Sequence, residues 1–250
     1  MRDGHALLEA RSVSVRFGGL VAVDAVSAAF APGELVGIIG PNGAGKTTFF
    51  NALSGVVTPT GGDLYAAGER LTGARPDRFA QRGIARTFQT PRVFAELSVA
   101  DNIGFGLQFA GRHREAPPAL ADTAAILSRI GLAAQAGLPA AAITPSQQRL
   151  LEIGMALATR PRLLLLDEVA AGLTEAEVES MATLIRALRD DFDLTVIWIE
   201  HAVTTLLRHV ERVIVLHQGR KIADGTPAEV VRDPAVVEAY LGDELVETTA

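Results

Sequence analysis

The chain has 250 residues, 48% of them hydrophobic, enough for one large α/β domain or a core with an inserted subdomain, and no apolar run reaches the roughly 18 to 20 residues of a bilayer span. A formal net charge of −6 argues against a nucleic-acid footprint, and zero cysteines remove disulfides, thiol catalysis and thiolate metal sites. The opening Met-Arg-Asp-Gly-His lacks the apolar core of a signal peptide, so the expectation is a cytosolic protein that reaches any membrane through a partner.

Residues 7–15 and 21–30 mix apolar, polar and β-branched positions around the Phe17-Gly18-Gly19 turn, which predicts two strands of a lateral antiparallel sheet. Phe17, at the front of that pair, either stacks on a nucleotide base or packs as a buried strand aromatic. The apolar run Leu35 to Ile39 leads into Gly40-Pro41-Asn42-Gly43-Ala44-Gly45-Lys46-Thr47-Thr48, which satisfies G-x-x-x-x-G-K-[ST] ahead of a helix over 46–53. In that context the glycines let backbone N–H groups turn toward one anion, and the helix adds its positive end. Lys46 then reaches the β- and γ-phosphates, and the Thr47 hydroxyl ligates magnesium. Positive charge is carried almost entirely by Arg; of the two lysines, Lys46 and Lys221, one stands where a compact ammonium is wanted.

Residues 58–62 read as a turn and 63–67 as a short strand. Residues 82–89 end a helix and run into an apolar piece closing at Thr87-Phe88-Gln89. From 91 to 142, Ala- and Leu-rich helical stretches (99–109 and 119–130) are broken by the solvated patch Arg112, His113, Arg114, Glu115 and by Pro117-Pro118. That shift marks a helical subdomain inserted into the sheet domain. Thr144-Pro145-Ser146-Gln147 has the form of a helix start: Thr144 caps, Pro145 fits the first helical position and Gln147 completes a capping box, ahead of Leu150, Leu151, Ile153, Met155 and Ala156.

That helix ends before Pro161, and Leu163 to Leu166 form the continuous apolar run of a central parallel strand. Asp167 and Glu168 stand at its carboxyl end, the side of an open α/β sheet where ligands bind and where the glycine-rich loop begins. Asp167 is then the magnesium-side carboxylate, and Glu168 is placed to polarise an attacking water. A second strand over 194–199 ends at Glu200-His201, which brings His201 near the γ-phosphate. An amphipathic helix (202–209), strands at 212–216 and 221–223 and a helical tail through Tyr240 complete the chain. The five histidines show no i, i+4 metal-binding pair.

The order of these features resembles the ATP-binding cassette subunits of ABC transporters and, within them, the ATPase subunits of branched-chain or hydrophobic amino acid importers. The likeness is carried by Arg16 to Gly19, Gly40 to Thr48, Arg86-Thr87-Phe88-Gln89, Gln147-Gln148-Arg149 with Leu151-Glu152-Ile153, Leu166 to Leu173, Ile199-Glu200-His201, Gly225-Thr226-Pro227 and Ala239 to Gly242. It implies one cassette with a P-loop NTPase (RecA-like) α/β core, a lateral antiparallel β-subdomain and an inserted α-helical subdomain. The core with its β-subdomain would occupy 1–90 and 160–232, the helical subdomain 91–159, and a C-terminal helix and tail 233–250.

The resemblance further implies ATP and Mg2+ as ligands. Phe17 would stack on adenine, Gly40 to Thr48 would be the Walker A loop, and Gln89 would reach magnesium and the attacking water. Asp167 and Glu168 would be the Walker B acids, with Glu168 the general base, and His201 would contact the γ-phosphate. Two cassettes, alike or different, would pair head to tail, so that Thr144, Ser146 and Gln147 of the signature helix meet the partner's nucleotide. Permease subunits would dock near Gln89 and the helical subdomain, fed by an external solute-binding protein, at the cytoplasmic face of a bacterial inner membrane; no nucleic acid takes part.

Three departures stand out. The signature, usually Leu-Ser-Gly-Gly-Gln, reads Ile143-Thr144-Pro145-Ser146-Gln147, and Ser146 puts a side chain where the family has glycine. Val169 replaces a proline after the acids, and Thr174 stands where many relatives carry aspartate. The expectation is normal ATP binding in the chain's own loop and a weakened signature surface offered to the partner. Alternatives are a regulatory cassette with weak hydrolysis, or the ATPase of a related importer for amides, urea or aromatic acids. A translation or repair ATPase usually carries two cassettes or a coiled-coil insertion, and a small-molecule kinase lacks the signature helix; neither pattern is present.

Overall fold

The computed structural model describes residues 6–109, 120–200 and 203–247, the side chains of 241–247 excepted. The first half runs β1 (Leu8–Phe17), β2 (Leu20–Phe30), β3 (Leu35–Ile39), α1 (Lys46–Leu53), β4 (Gly61–Ala66), β5 (Glu69–Arg70), α2 (Pro76–Gln81), β6 (Ile84–Arg86), α3 (Val99–Gln108) and α4 (Thr123–Arg129). The second runs α5 (Pro145–Ala158), β7 (Leu163–Asp167), α6 (Glu175–Phe192), β8 (Thr195–Ile199), α7 (Val203–His209), β9 (Arg212–His217), β10 (Arg220–Gly225), α8 (Pro227–Val230) and α9 (Pro234–Glu247). The Arg112 to Glu115 patch, Pro117-Pro118 and His201 lie outside the described residues.

Two sheets form. One is antiparallel in the order β2-β1-β4-β5; the other runs β10-β9-β3-β8-β7-β6 and is parallel except for the β9–β10 pair. β3, β7 and β8 are buried at every position, as strands covered on both faces must be. Side chains alternate between faces, and this splits the runs into two cores. Val36, Ile38, Leu163, Leu165, Ile197 and Ile199 join α1 and the antiparallel sheet, whereas Leu35, Ile39, Leu164, Leu166, Val196 and Trp198 join the helices α3 to α7. α1 is thereby enclosed between the sheets, with Phe49, Phe50, Ala52 and Leu53 buried. This is an α/β P-loop core with a lateral antiparallel sheet and a helical layer, α3 to α5, inserted between β6 and β7.

α6 has no counterpart among the expectations from the sequence. Thr174 starts it with a capping box to Glu177, and Val178, Met181, Ala182, Ile185, Leu188 and Phe192 face the core at helical spacing. The same cap accounts for Thr174: its hydroxyl is committed to Glu177 within its own chain. α5 begins as its sequence predicts, with Thr144 and Gln147 closing a capping box and Pro145 in the first turn.

Candidate active site

Strand order decides what meets here. β3 delivers the glycine-rich loop and β7 delivers Asp167, with only β8 between them, so both reach the same carboxyl edge of the sheet. The loop takes a shape that side chains would prevent. Gly40 has φ +151, and a Cβ there would lie 2.0 Å from the Leu216 carbonyl oxygen; Gly45 has φ +96, with the Ala22 oxygen 2.3 Å from a Cβ. Gly45 is the residue at the cap of α1, and no side chain caps that helix. Among the described residues the amides of Asn42, Gly43, Gly45, Lys46 and Thr47 find no acceptor, so they are free to take one anion.

Lys46 is only 5% exposed and arches back over the loop, its Nζ donating to the carbonyls of Gly40 at 2.6 Å and Pro41 at 2.9 Å. Burial lowers the pKa of its ammonium, and the Glu168 carboxylate opposes that shift. A cavity of ≈ 500 Å³ opens over it, lined by Phe17 and Leu20 from the first hairpin, by residues 42–48 of the loop and α1, and by Gln89 and Glu168. Phe17 is 52% exposed, so it is not the buried strand aromatic that its position also allowed. Gly40, Pro41 and Asp167 are buried and do not line it.

The carboxylates differ in their settings. Asp167, 2% exposed, accepts from Arg86 Nη2 at 3.0 Å, and its amide donates to Thr87 Oγ1 at 3.2 Å. Glu168 turns the chain at φ +51, a left-handed conformation that costs an ordinary side chain about 1 kcal/mol or more. Its amide donates to the Ile199 carbonyl at 3.0 Å, its carbonyl accepts from Arg149 at 2.9 Å, and its Oε2 accepts from Gln89 Nε2 at 2.7 Å. The glutamine and the acid, read separately in the sequence, therefore touch. Thr47 and Gln89 line the cavity and the Asp167 carboxylate is buried against Arg86, so a hydroxyl, a carboxamide and a carboxylate supply oxygen chemistry of the kind that would suit magnesium, which takes its remaining ligands from phosphates and water. Among the described residues no group of three or more acidic or imidazole side chains forms a metal cage of its own.

Thr144, Ser146 and Gln147 do not line this cavity. They sit at the start of α5, where Thr144 Oγ1 accepts from the Gln147 amide at 3.3 Å, the Thr144 amide donates to Gln147 Oε1 at 3.0 Å, and the Ser146 hydroxyl is 3.0 Å from that of Thr144.

Four groups that sequence reading left without a role support the site. Arg86 reaches Asn51 on α1 and Ser54 at its C-cap, both at 2.8 Å, as well as Asp167. Arg149 holds three loop carbonyls, and Glu152 accepts from the amides of Phe88 and Arg92. Glu200, 3% exposed, accepts from the Ala170 amide at 2.7 Å and Trp198 Nε1 at 2.9 Å, which pins the turn after Glu168; burial raises its pKa. Arg86, Arg149, Glu152 and Glu200 all stand inside the motif words quoted above, but, Trp198 beside Glu200 apart, their partners lie far away in sequence. A separate groove of ≈ 380 Å³ lies between α2–β6 and α3–α5, with Phe94, Phe105 and Phe109 exposed along it at 42%, 40% and 66%. Such a run of exposed aromatics is unusual on a surface without a partner.

The family model "ABC transporter" matches residues 23–171, and a second, "Branched-chain amino acid ATP-binding cassette transporter", matches 220–246. The chain is 39% identical over 250 residues to the high-affinity branched-chain amino acid transport ATP-binding protein LivG of Escherichia coli, covering 95% of this chain and 98% of the relative. It is 37% identical over 253 residues to the corresponding protein BraF of Pseudomonas aeruginosa, with the same coverage. Among solved structures, the ADP conformation of an ATP-binding cassette of an ABC transporter superposes with a TM-score of 0.83 at 28% identity, covering 95% of this chain and 99% of that one. A nucleotide-free cassette gives 0.83 at 27% identity, covering 94% and 98%. The chain belongs to the ABC transporter family and is one of its ATP-binding cassette ATPases.

Proposed function

We propose that this cassette powers import of branched-chain or other hydrophobic amino acids, with the division of labour expected from the sequence: core at 1–90 and 160–232, helical subdomain at 91–159, tail at 233–250. Import of such amino acids is supported by the likeness to LivG and BraF, and the hydrolysis that drives it by the 2.7 Å contact between Gln89 and Glu168 beside a cavity lined by Lys46. Loop amides and Lys46 hold the β- and γ-phosphates, Phe17 offers its half-exposed ring to the base, and Thr47, Asp167 and Gln89 hold magnesium. When bound, the nucleotide would supply the phosphoryl group and magnesium would neutralise the charge on it. Glu168 takes the proton of the attacking water, Gln89 orients that water, and His201 contacts the γ-phosphate. Thr144, Ser146 and Gln147 face the nucleotide of a second cassette.

A permease subunit docks in the aromatic groove beside Gln89, on the cytoplasmic face of the membrane, and an external binding protein delivers the solute. No helix among the described residues is long and apolar enough to cross the membrane itself. Lys46→Ala tests the reading: nucleotide affinity of the purified chain should fall about 10- to 100-fold, the worth of a buried charge-assisted contact. Leucine uptake by cells carrying the complete transporter should stop with it; unchanged affinity overturns the assignment, and uptake restricted to amides or urea overturns the solute.

A further inference from the structure

Gln89 is exposed, sits on a loop, and yet meets Glu168. Something must fix that loop. The amides of Phe88 and Arg92, on either side of Gln89, both donate to a single atom, Oε1 of Glu152, at 3.2 and 3.0 Å. The bend that carries Gln89 is therefore pinned at both ends to one oxygen on α5. One turn earlier on that helix, Arg149 adds a hold of opposite polarity, donating to the carbonyls of Gln89 at 3.3 Å, Glu168 at 2.9 Å and Ala171 at 2.8 Å.

The placement of this carboxyl is costly. Glu152 is 5% exposed, and burial pushes its pKa up to about 7 against the pull of the two amides. The charges of Arg149 and Arg86 offset part of that cost, and a buried acid otherwise destabilises a fold unless its oxygens satisfy donors that would be stranded without it. Glu152 also lines the aromatic groove, so one side chain borders both the groove and the loop that reaches Glu168.

We propose that Glu152 is a positioning residue for hydrolysis: its Oε1 sets the Phe88–Arg92 bend so that Gln89 meets Glu168. This rests on the catalytic reading of Gln89 and Glu168 given above. Because both amides use one oxygen, the requirement is for an acceptor at that point and not for a charge. A glutamine provides the same acceptor.

Steady-state hydrolysis by the assembled transporter tests it, with Glu152→Gln, Glu152→Ala, Glu152→Met and Glu168→Gln side by side. Glu152→Ala should lower kcat about 10- to 100-fold, the scale of an ångström misplacement, with KM for ATP unchanged. Glu152→Gln should keep kcat within about twofold, since the geometry is preserved. Glu152→Met fills the same space without an acceptor and replaces the alanine variant should that one fail to fold. Wild-type kcat in both Glu152→Ala and Glu152→Met overturns the inference, as does a raised KM with unchanged kcat, or a Glu152→Gln variant as slow as Glu152→Ala. Normal hydrolysis by Glu168→Gln sinks the catalytic reading itself; a dead Glu168→Gln beside a normal Glu152→Met sinks only the role of Glu152.

Discussion

Two helices of this cassette begin with their N-termini at functional positions, and the chain treats them in opposite ways. α1 starts at a left-handed glycine with no side-chain cap, so among the described residues the amides of Lys46 and Thr47 and those of Asn42, Gly43 and Gly45 in the loop before them are left for an outside anion. α5 starts with a complete capping box in which Thr144 and Gln147 satisfy each other, and Ser146 lies against Thr144. An uncapped N-terminus braced by a buried ammonium is built to receive phosphate, whereas a self-capped one has already answered part of its own demand. One helix start thus leaves donors open, and the other presents a more self-contained surface.

The largest expected effect breaks the open side where its chemistry is done. Glu168→Gln keeps the amides of the loop and the shape at φ +51 but removes the proton acceptor. Hydrolysis by the complex should fall by about 10² to 10⁴ while nucleotide affinity holds, measured as kcat against the Kd of a non-hydrolysable analogue. A loss of affinity equal to the loss of rate would show that Glu168 holds the ligand and does not prime water.

Next in size is the support behind the open side. Arg86 ties α1 to Asp167 with both side chains buried, at 10% and 3% exposure. Arg86→Met leaves that carboxylate without its ion-pair partner, which costs about 3 kcal/mol. At this size of protein that lowers the Tm by roughly 6 to 12 °C. A shift within 2 °C would mean that Asp167 is held by its other contacts and that the open end needs no such brace.

How far each side could be read beforehand follows the same division. The glycine-rich loop, the Thr144 cap and the Leu163 to Leu166 strand are local signals, in which the residues that cooperate are neighbours in the chain. α6 was legible too, since Thr174 and Glu177 form the same capping pattern ahead of apolar spacing, though no element was expected there. Arg86, Arg149, Glu152 and Glu200 were not. Arg86 meets Asp167 81 residues on, and Glu152 meets Arg92 60 residues back, so only the strand order of the sheet and the return of α5 bring them together. A buried acid in an amphipathic helix gives no sign in the sequence of which amides it serves.

The smallest expected effect opens the closed side. Replacing Pro145 and Ser146 together by glycine removes the hydroxyl set 3.0 Å from Thr144 and lets a partner's phosphate approach the backbone at the start of α5. The Thr144–Gln147 box stays in place, so the helix still starts there, at a cost of about 1 kcal/mol that comes mainly from the freedom the unfolded chain regains without Pro145. If the self-contained start of α5 is what limits the shared site, hydrolysis by the assembled complex should rise a few-fold even as the Tm drops. An unchanged rate would show that the capped N-terminus already serves the partner's nucleotide, and the contrast between the two helix starts would then describe folding and not catalysis.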